Sequence, residues 1–197
     1  MSMIKMLGGG ATRLDHTELI DVSNLDETGK IVGADDRRRH FHDANLLWHT
    51  DVSFDANRAV YSILSARVLP PAGGDTDFAD MRGAYAALTD KRKAELDGLE
   101  VDHSIWYSRA LGGFTAVSED EMATRPPARH GLVSANPRTG TKALYLASHA
   151  SHIIGWPEDE SRALLDELID YATEDRFFYG HVWQPGDVVM WDNQTTM

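Results

Sequence analysis

Asn45-Leu46-Leu47-Trp48-His49-Thr50-Asp51 sets an imidazole and a carboxylate two residues apart within an apolar and aromatic stretch. Read as extended backbone, residues i and i+2 point to one side. His49 and Asp51 then offer a nitrogen and an oxygen ligand to a single cation from one face. That is half or more of the His-plus-carboxylate set of non-haem Fe(II) oxygenases, which leave coordination positions open for substrate and oxygen. His-x-Asp alone is common, and a surface His beside a solvated Asp is its ordinary explanation. Two further stretches lift it above that: the Gly73-Gly74-Asp75-Thr76 turn and the Trp191-Asp192-Asn193 run near the end of the sequence.

Outward from this stretch the chain reads as short strands with helices set apart. Residues 18–24 alternate well enough for a strand, a turn falls at Glu27-Thr28-Gly29, and residues 30–32 form a second strand, predicting a hairpin with Lys30 just past its turn. Residues 59–69 are rich in Val, Ile, Leu and Tyr and stop at Pro70-Pro71, which predicts a buried strand. A tight turn over residues 72–76 leads into Asp77-Phe78-Ala79. Short helices are predicted over 81–88 and 90–97, the second with Thr89 as its N-cap and Gly98 as its stop. Residues 99–103 read as a strand, and 118–129, with acidic residues and Pro126-Pro127, as a loop or lid. Residues 131–135 and 142–147 read as a hairpin around Asn136-Pro137-Arg138-Thr139-Gly140.

The clearest helix covers 157–172. Pro157 sits near its first turn, Glu158, Asp159 and Glu160 suit the positive end of the dipole, and Leu164, Leu165, Leu168, Ile169 and Ala172 form one apolar stripe that should pack on a sheet. Two strands, 176–184 and 187–193, are joined at Pro185-Gly186, with Phe177, Phe178, Tyr179, Trp183 and Trp191 available to the core. With no regular strand-helix alternation, the expected class is mainly β with flanking helices, antiparallel rather than a doubly wound parallel sheet.

At 197 residues with 42% hydrophobic content the chain supports one core, so residues 1–197 are read as a single domain, with the Met- and Gly-rich 1–11 expected to be flexible. No apolar run approaches the length of a membrane span and no signal pattern opens the sequence, which makes the cytoplasm the default address. Cys is absent, so thiolate chemistry and Cys-ligated metals are excluded and any metal must be held by His and carboxylates. A net charge of -12 argues against nucleic-acid or anionic-membrane surfaces but not against a small anionic substrate.

Residues 45–54, residues 73–82, His149-Ala150-Ser151-His152 and Gly186-Asp187-Val188-Val189-Met190-Trp191-Asp192-Asn193 occur in order along nearly the whole chain. Together they resemble the TauD/TfdA family of Fe(II)- and 2-oxoglutarate-dependent dioxygenases. The resemblance implies a double-stranded β-helix, a cupin-like jelly roll of two antiparallel sheets with helices outside, here incomplete at the C-terminus. It implies that His49 and Asp51 bind Fe(II) and that Thr76 contacts the carboxylate of 2-oxoglutarate. On its own, Thr76 reads better as a turn residue bonding its own backbone. Asn45 falls where taurine dioxygenase-like members have an Asn facing substrate, although a structural amide is nearly as well supported.

Lys5 and Lys30 match lysines that herbicide-degrading members use for the substrate carboxylate, against the ordinary solvated lysine. His149 and His152 read as pocket-wall or surface histidines in a loop, given Gly155 and Pro157, with His152 lining the substrate cavity. Family members place a second iron-binding His shortly after Trp-Asp-Asn, and an Arg for the far carboxylate of 2-oxoglutarate further on. The sequence ends at Gln194-Thr195-Thr196-Met197, so the third ligand is expected just after Met197 and the chain is expected to be a fragment lacking both ends.

The implied reaction is hydroxylation of an aryloxyalkanoate such as 2,4-dichlorophenoxyacetate beside its ether oxygen. The resulting hemiacetal collapses to a phenol and glyoxylate, while 2-oxoglutarate and O2 yield succinate and CO2. Two alternatives stay open: a taurine or alkylsulfonate dioxygenase, and a catalytically silent fragment, since a chain short of one ligand is expected to turn over little or not at all. Expected partners are a small anionic substrate and O2, with no nucleic acid and no membrane; self-association is left open.

Overall fold

The computed structural model describes residues 22, 23, 25, 28, 30, 31, 33 and 43–197. Lys5, the segment 1–11 and most of the expected 18–32 hairpin lie outside the described residues; within that hairpin an antiparallel bridge joins Leu25 to Ile31.

After a 3-10 turn at Ala44–Leu46 come β1 (Tyr61–Ser65), β2 (Thr76–Ala79), α1 (Met81–Ala87), α2 (Asp90–Leu96) and β3 (Glu100–His103). Then follow α3 (Ile105–Leu111), α4 (Glu119–Ala123), β4 (Ala128–Gly131), β5 (Val133–Ala135), β6 (Lys142–Leu144) and β7 (Ala150–Ile153). The chain closes with α5 (Glu158–Ala172), β8 (Phe178–His181) and β9 (Val188–Asp192). Every described strand pairing is antiparallel: β1 with β9, β2 with β8, β4-β3-β7, and β5 with β6. The architecture is thus antiparallel sheet with helices. The described strands form four small sheets rather than one closed barrel.

Caps fix the helices where the sequence places them. The Asp80 side chain accepts from the backbone N–H groups of Arg82 and Gly83 to start α1, and Thr89 accepts from Arg92 to start α2. Past α2 the chain turns at Gly98, whose φ of +79° suits a residue without Cβ. Acidic Glu158, Asp159 and Glu160 open α5, whose Leu164, Leu165, Leu168 and Ala172 are buried, and the helix packs against β7 as expected. The core lies between α1, α5 and the sheets, where Met81, Val101, Leu132, Leu144, Leu146, Ile153, Leu165 and Leu168 exclude water.

Four expectations are corrected. The strand over 59–69 is only five residues long and faces solvent on one side, with Ile63 65% exposed. Its apolar run is a ribbon edge, inward at Ser62 and Leu64 and outward at Tyr61 and Ile63. Second, the strands over 176–184 and 187–193 are shorter than expected, β8 covering Phe178–His181 and β9 Val188–Asp192, and Gly186, at φ +95°, carries the chain from the β2 ribbon to the β1 ribbon. On β8, Phe178 and Tyr179 stay 41% and 61% exposed instead of entering the core.

Third, the 118–129 loop contains α4, started by a capping box in which Ser118 and Glu121 satisfy each other's backbone N–H. Fourth, β7 holds His152 on a strand rather than in a loop. Helix α3, which the sequence pattern did not mark, begins at the N-cap Ser104.

Candidate metal centre

His49 and Asp51 do not share a strand. The chain is irregular through Thr50 and turns at residues 51–54, with Val52 at φ +58°. A β-branched residue in this region costs about 1–2 kcal/mol, so neighbours must hold it. They do. Thr50 Oγ1 donates to the Leu146 carbonyl at 2.8 Å, His130 Nε2 donates to the Ser53 carbonyl at 2.8 Å, and His103 Nδ1 is hydrogen-bonded to Ser53 Oγ at 3.0 Å.

That turn brings His49 Nε2 within 3.5 Å of Asp51 Oδ1. His49 Nδ1 donates to the Leu47 carbonyl at 2.7 Å, which commits that nitrogen and leaves Nε2 as the one available to a cation. Asp51 Oδ2 accepts from Ser62 Oγ at 2.5 Å, leaving Oδ1 to face the imidazole. Burial is the largest influence on both groups and disfavours charge. The mutual hydrogen bond and attraction outweigh it, holding His49 above and Asp51 below their usual pKa values. His49 Nε2 and Asp51 Oδ1 therefore converge on a point that favours positive charge, which a divalent cation would also supply. Among the described residues, no third His, Cys, Asp or Glu completes a metal-holding group with them.

The surroundings come from α3 and the segment before β7. His149 is buried, edge-on to His49 at 6.1 Å between ring centroids and to Phe54 at 5.0 Å. Ser108 Oγ donates to the Ile105 carbonyl, so at 2.7 Å it accepts from His149 Nδ1. Burial first, then the charges of His49, Arg109 and His103, push His149 well below the usual histidine pKa, so it forms a neutral wall. Arg109 is 4% exposed and donates to Asn45 Oδ1 at 3.0 Å. Burial and then Arg125 lower it to about 10, which leaves it charged at neutral pH. Gly112 lets α3 approach this closely, because a Cβ there would lie 2.8 Å from that of Ala44.

Asn45 thus reaches the surroundings of His49 and Asp51 through Arg109. Thr76 opens β2, where its hydroxyl accepts from Trp183 Nε1 at 2.9 Å and its register partner is His181. His152 pairs in register with Asp102 on β3, and its Nδ1 lies 3.4 Å from Ser151 Oγ. Lys30 is exposed. Arg109, Ser108 and Ser62 escaped the sequence reading, and so did the contact of His149 with His49. Only the N-cap Ser104 of α3 gave a local signal that a helix delivers Ser108 and Arg109 here.

The described architecture is an antiparallel β scaffold that sets His49 Nε2 against one oxygen of Asp51, with Nδ1 and the other carboxylate oxygen engaged elsewhere. The sequence model described as "Taurine catabolism dioxygenase TauD, TfdA family" matches residues 6–197, and the chain belongs to that family. It is 45% identical over 186 residues to the alpha-ketoglutarate-dependent 2,4-dichlorophenoxyacetate dioxygenase of Burkholderia sp. (strain RASC), covering 94% of this chain and 63% of the relative. It is 36% identical over 185 residues to the (S)-phenoxypropionate/alpha-ketoglutarate-dioxygenase of Sphingobium herbicidovorans, covering 90% and 64%. Among solved structures, AAD-2 in complex with Mn(II) and N-oxalylglycine superposes with a TM-score of 0.90 at 46% identity, covering 93% of this chain and 63% of that one. The chain spans less than two thirds of the length of each of these three. No helix among the described residues is long and apolar enough to cross a membrane.

Proposed function

We propose that the protein is an Fe(II)- and 2-oxoglutarate-dependent dioxygenase of aryloxyalkanoates such as 2,4-dichlorophenoxyacetate, built on a double-stranded β-helix. His49 and Asp51 would be two of its iron ligands, with the third His expected after Met197. The observation that carries this is the convergence of His49 Nε2 and Asp51 Oδ1, each with its other polar atom already committed. A nitrogen and a carboxylate oxygen are the donor types that Fe(II) takes in non-haem oxygenases. The run after Trp191-Asp192-Asn193 lies against this segment, the Thr196 carbonyl being 3.5 Å from Thr50 Oγ1, which supports a further ligand from that side.

When bound, Fe(II) supplies O2 activation coupled to oxidative decarboxylation of 2-oxoglutarate to succinate and CO2. The chain supplies the rest. His49 and Asp51 grip the ion, and Phe54 and the neutral His149 keep water from one side of it. Arg109, fixed by Asn45, keeps a positive charge nearby that favours an anionic substrate. Lys30, Lys5 and His152 are further candidates for substrate contact, and Thr76 for the 2-oxoglutarate carboxylate.

Succinate release with 2,4-dichlorophenoxyacetate and with taurine, measured in parallel on a protein that carries the third His, tests the reading. Release with the aryloxyacetate alone is expected. Release with taurine alone favours the alkylsulfonate alternative, and no release with either contradicts the dioxygenase reading. Thr76→Val should raise the KM for 2-oxoglutarate about 10-fold or more while changing kcat less, the size expected for one hydrogen bond to a charged group. An unchanged KM removes Thr76 from the site.

A further inference from the structure

We propose that Trp191, Asn193 and Ser62 form a one-directional hydrogen-bond relay that presents Asp51 to the metal through Oδ1 alone. The inference rests on the metal reading above and assigns a task to the Trp-Asp-Asn run, which that reading leaves without one. Trp191 Nε1 can only donate, and it donates to Asn193 Oδ1 at 3.1 Å. That settles which way the Asn193 amide faces, since its Nδ2 must then point to Ser62 Oγ, to which it donates at 2.8 Å. Ser62 has one proton, and with Nδ2 occupying its acceptor side that proton goes to Asp51 Oδ2 at 2.5 Å.

Each link leaves the next one choice, so Oδ2 is the oxygen engaged by the relay and Oδ1 the one turned to His49. The scaffold fixes the endpoints. Ser62 lies opposite Trp191 in the β1–β9 register, and the buried Asn193 donates its backbone N–H to the Val60 carbonyl at 2.9 Å. Buried amides and hydroxyls with every partner satisfied rigidify a site more than isolated contacts do. Trp191, Asn193 and Ser62 are therefore positioning residues that act through Asp51.

The test is Co(II) binding to the protein, read as a dissociation constant and as the visible absorption of the bound ion, with circular dichroism to confirm folding. Ser62→Ala and Asn193→Leu should weaken Co(II) binding by about 10- to 100-fold, the cost of losing an outer-shell partner, and alter the spectrum. Ser62→Thr keeps the hydroxyl and should restore wild-type binding and absorption. Trp191→Phe keeps the ring, loses the N–H and should give a smaller loss of the same kind; it carries the test if Ser62→Ala does not fold. Folded variants that bind Co(II) with wild-type affinity and spectrum overturn the relay. His49→Ala separates the two readings: binding lost there but intact in Ser62→Ala overturns only the relay, whereas binding that survives His49→Ala overturns the metal centre and the relay with it.

Discussion

His49→Ala should abolish Fe(II) binding, weakening it by more than the roughly 100-fold that marks the upper range for loss of an outer-shell partner. The reason is geometric. With Nδ1 committed to Leu47, Nε2 is the only nitrogen that faces Asp51 Oδ1, and no described His, Cys, Asp or Glu stands ready to replace it. Asp51→Asn should behave similarly, because it keeps an oxygen but loses the charge that draws the cation. Both changes are read by anaerobic Fe(II) titration. Wild-type affinity in either variant would mean that the metal sits elsewhere.

Stability should fall as the pH drops from 7.5 to 5, by about 2 kcal/mol from His103 alone at roughly 1.4 kcal/mol per pH unit below its unfolded pKa. Burial first, then the charge of His130, lowers its folded pKa to about 3, against 6.5 in the unfolded chain. Between those values the unfolded chain binds a proton that the folded protein does not, so protonation pulls toward unfolding. The contribution is complete above pH 6.5 and is lost progressively as pH falls toward 3. His149 is depressed too and acts in the same direction.

His49 acts in the opposite direction, since its raised pKa adds stability at low pH that is lost as pH rises through the folded value. Asp51, held low, adds stability that is lost only as pH falls below the carboxylate range. Three depressed histidines, His103, His130 and His149, against one raised leave a net acid lability. His103→Phe should flatten the pH dependence, and at pH 7.5 it should cost about 1–3 kcal/mol because it leaves the buried Ser53 hydroxyl without its His103 partner. Urea unfolding at the two pH values reads both effects, and a wild-type stability independent of pH would contradict them.

The contrast between α5 and α3 shows what the sequence could carry. Helix α5 announces itself through Pro157, three acids and a repeating apolar stripe. Helix α3 has seven residues and only a capping Ser104 to mark it, too little period to read, yet it delivers Arg109 and Ser108 to the metal pair's surroundings. Ser118 and Glu121 did spell a capping box, hidden beside Pro126-Pro127 in what reads as a loop.

His49 and Asp51 lie only two positions apart, so their pairing is legible in the sequence. Ser62 was not, because its bond to Asn193 spans 131 positions and exists only through the β1–β9 pairing. The same pairing accounts for the ribbon edge that reads as a buried strand. A run such as residues 60–64 carries no mark of which face its partner strand will cover.

The most direct measurement is an anaerobic titration, with 2-oxoglutarate, of the Fe(II)-loaded protein carrying the third His, followed by visible absorption. A 2-oxoglutarate-dependent band that vanishes in His49→Ala is the predicted result. No band in the wild-type protein, or a band that persists in His49→Ala, would contradict a metal centre at His49 and Asp51.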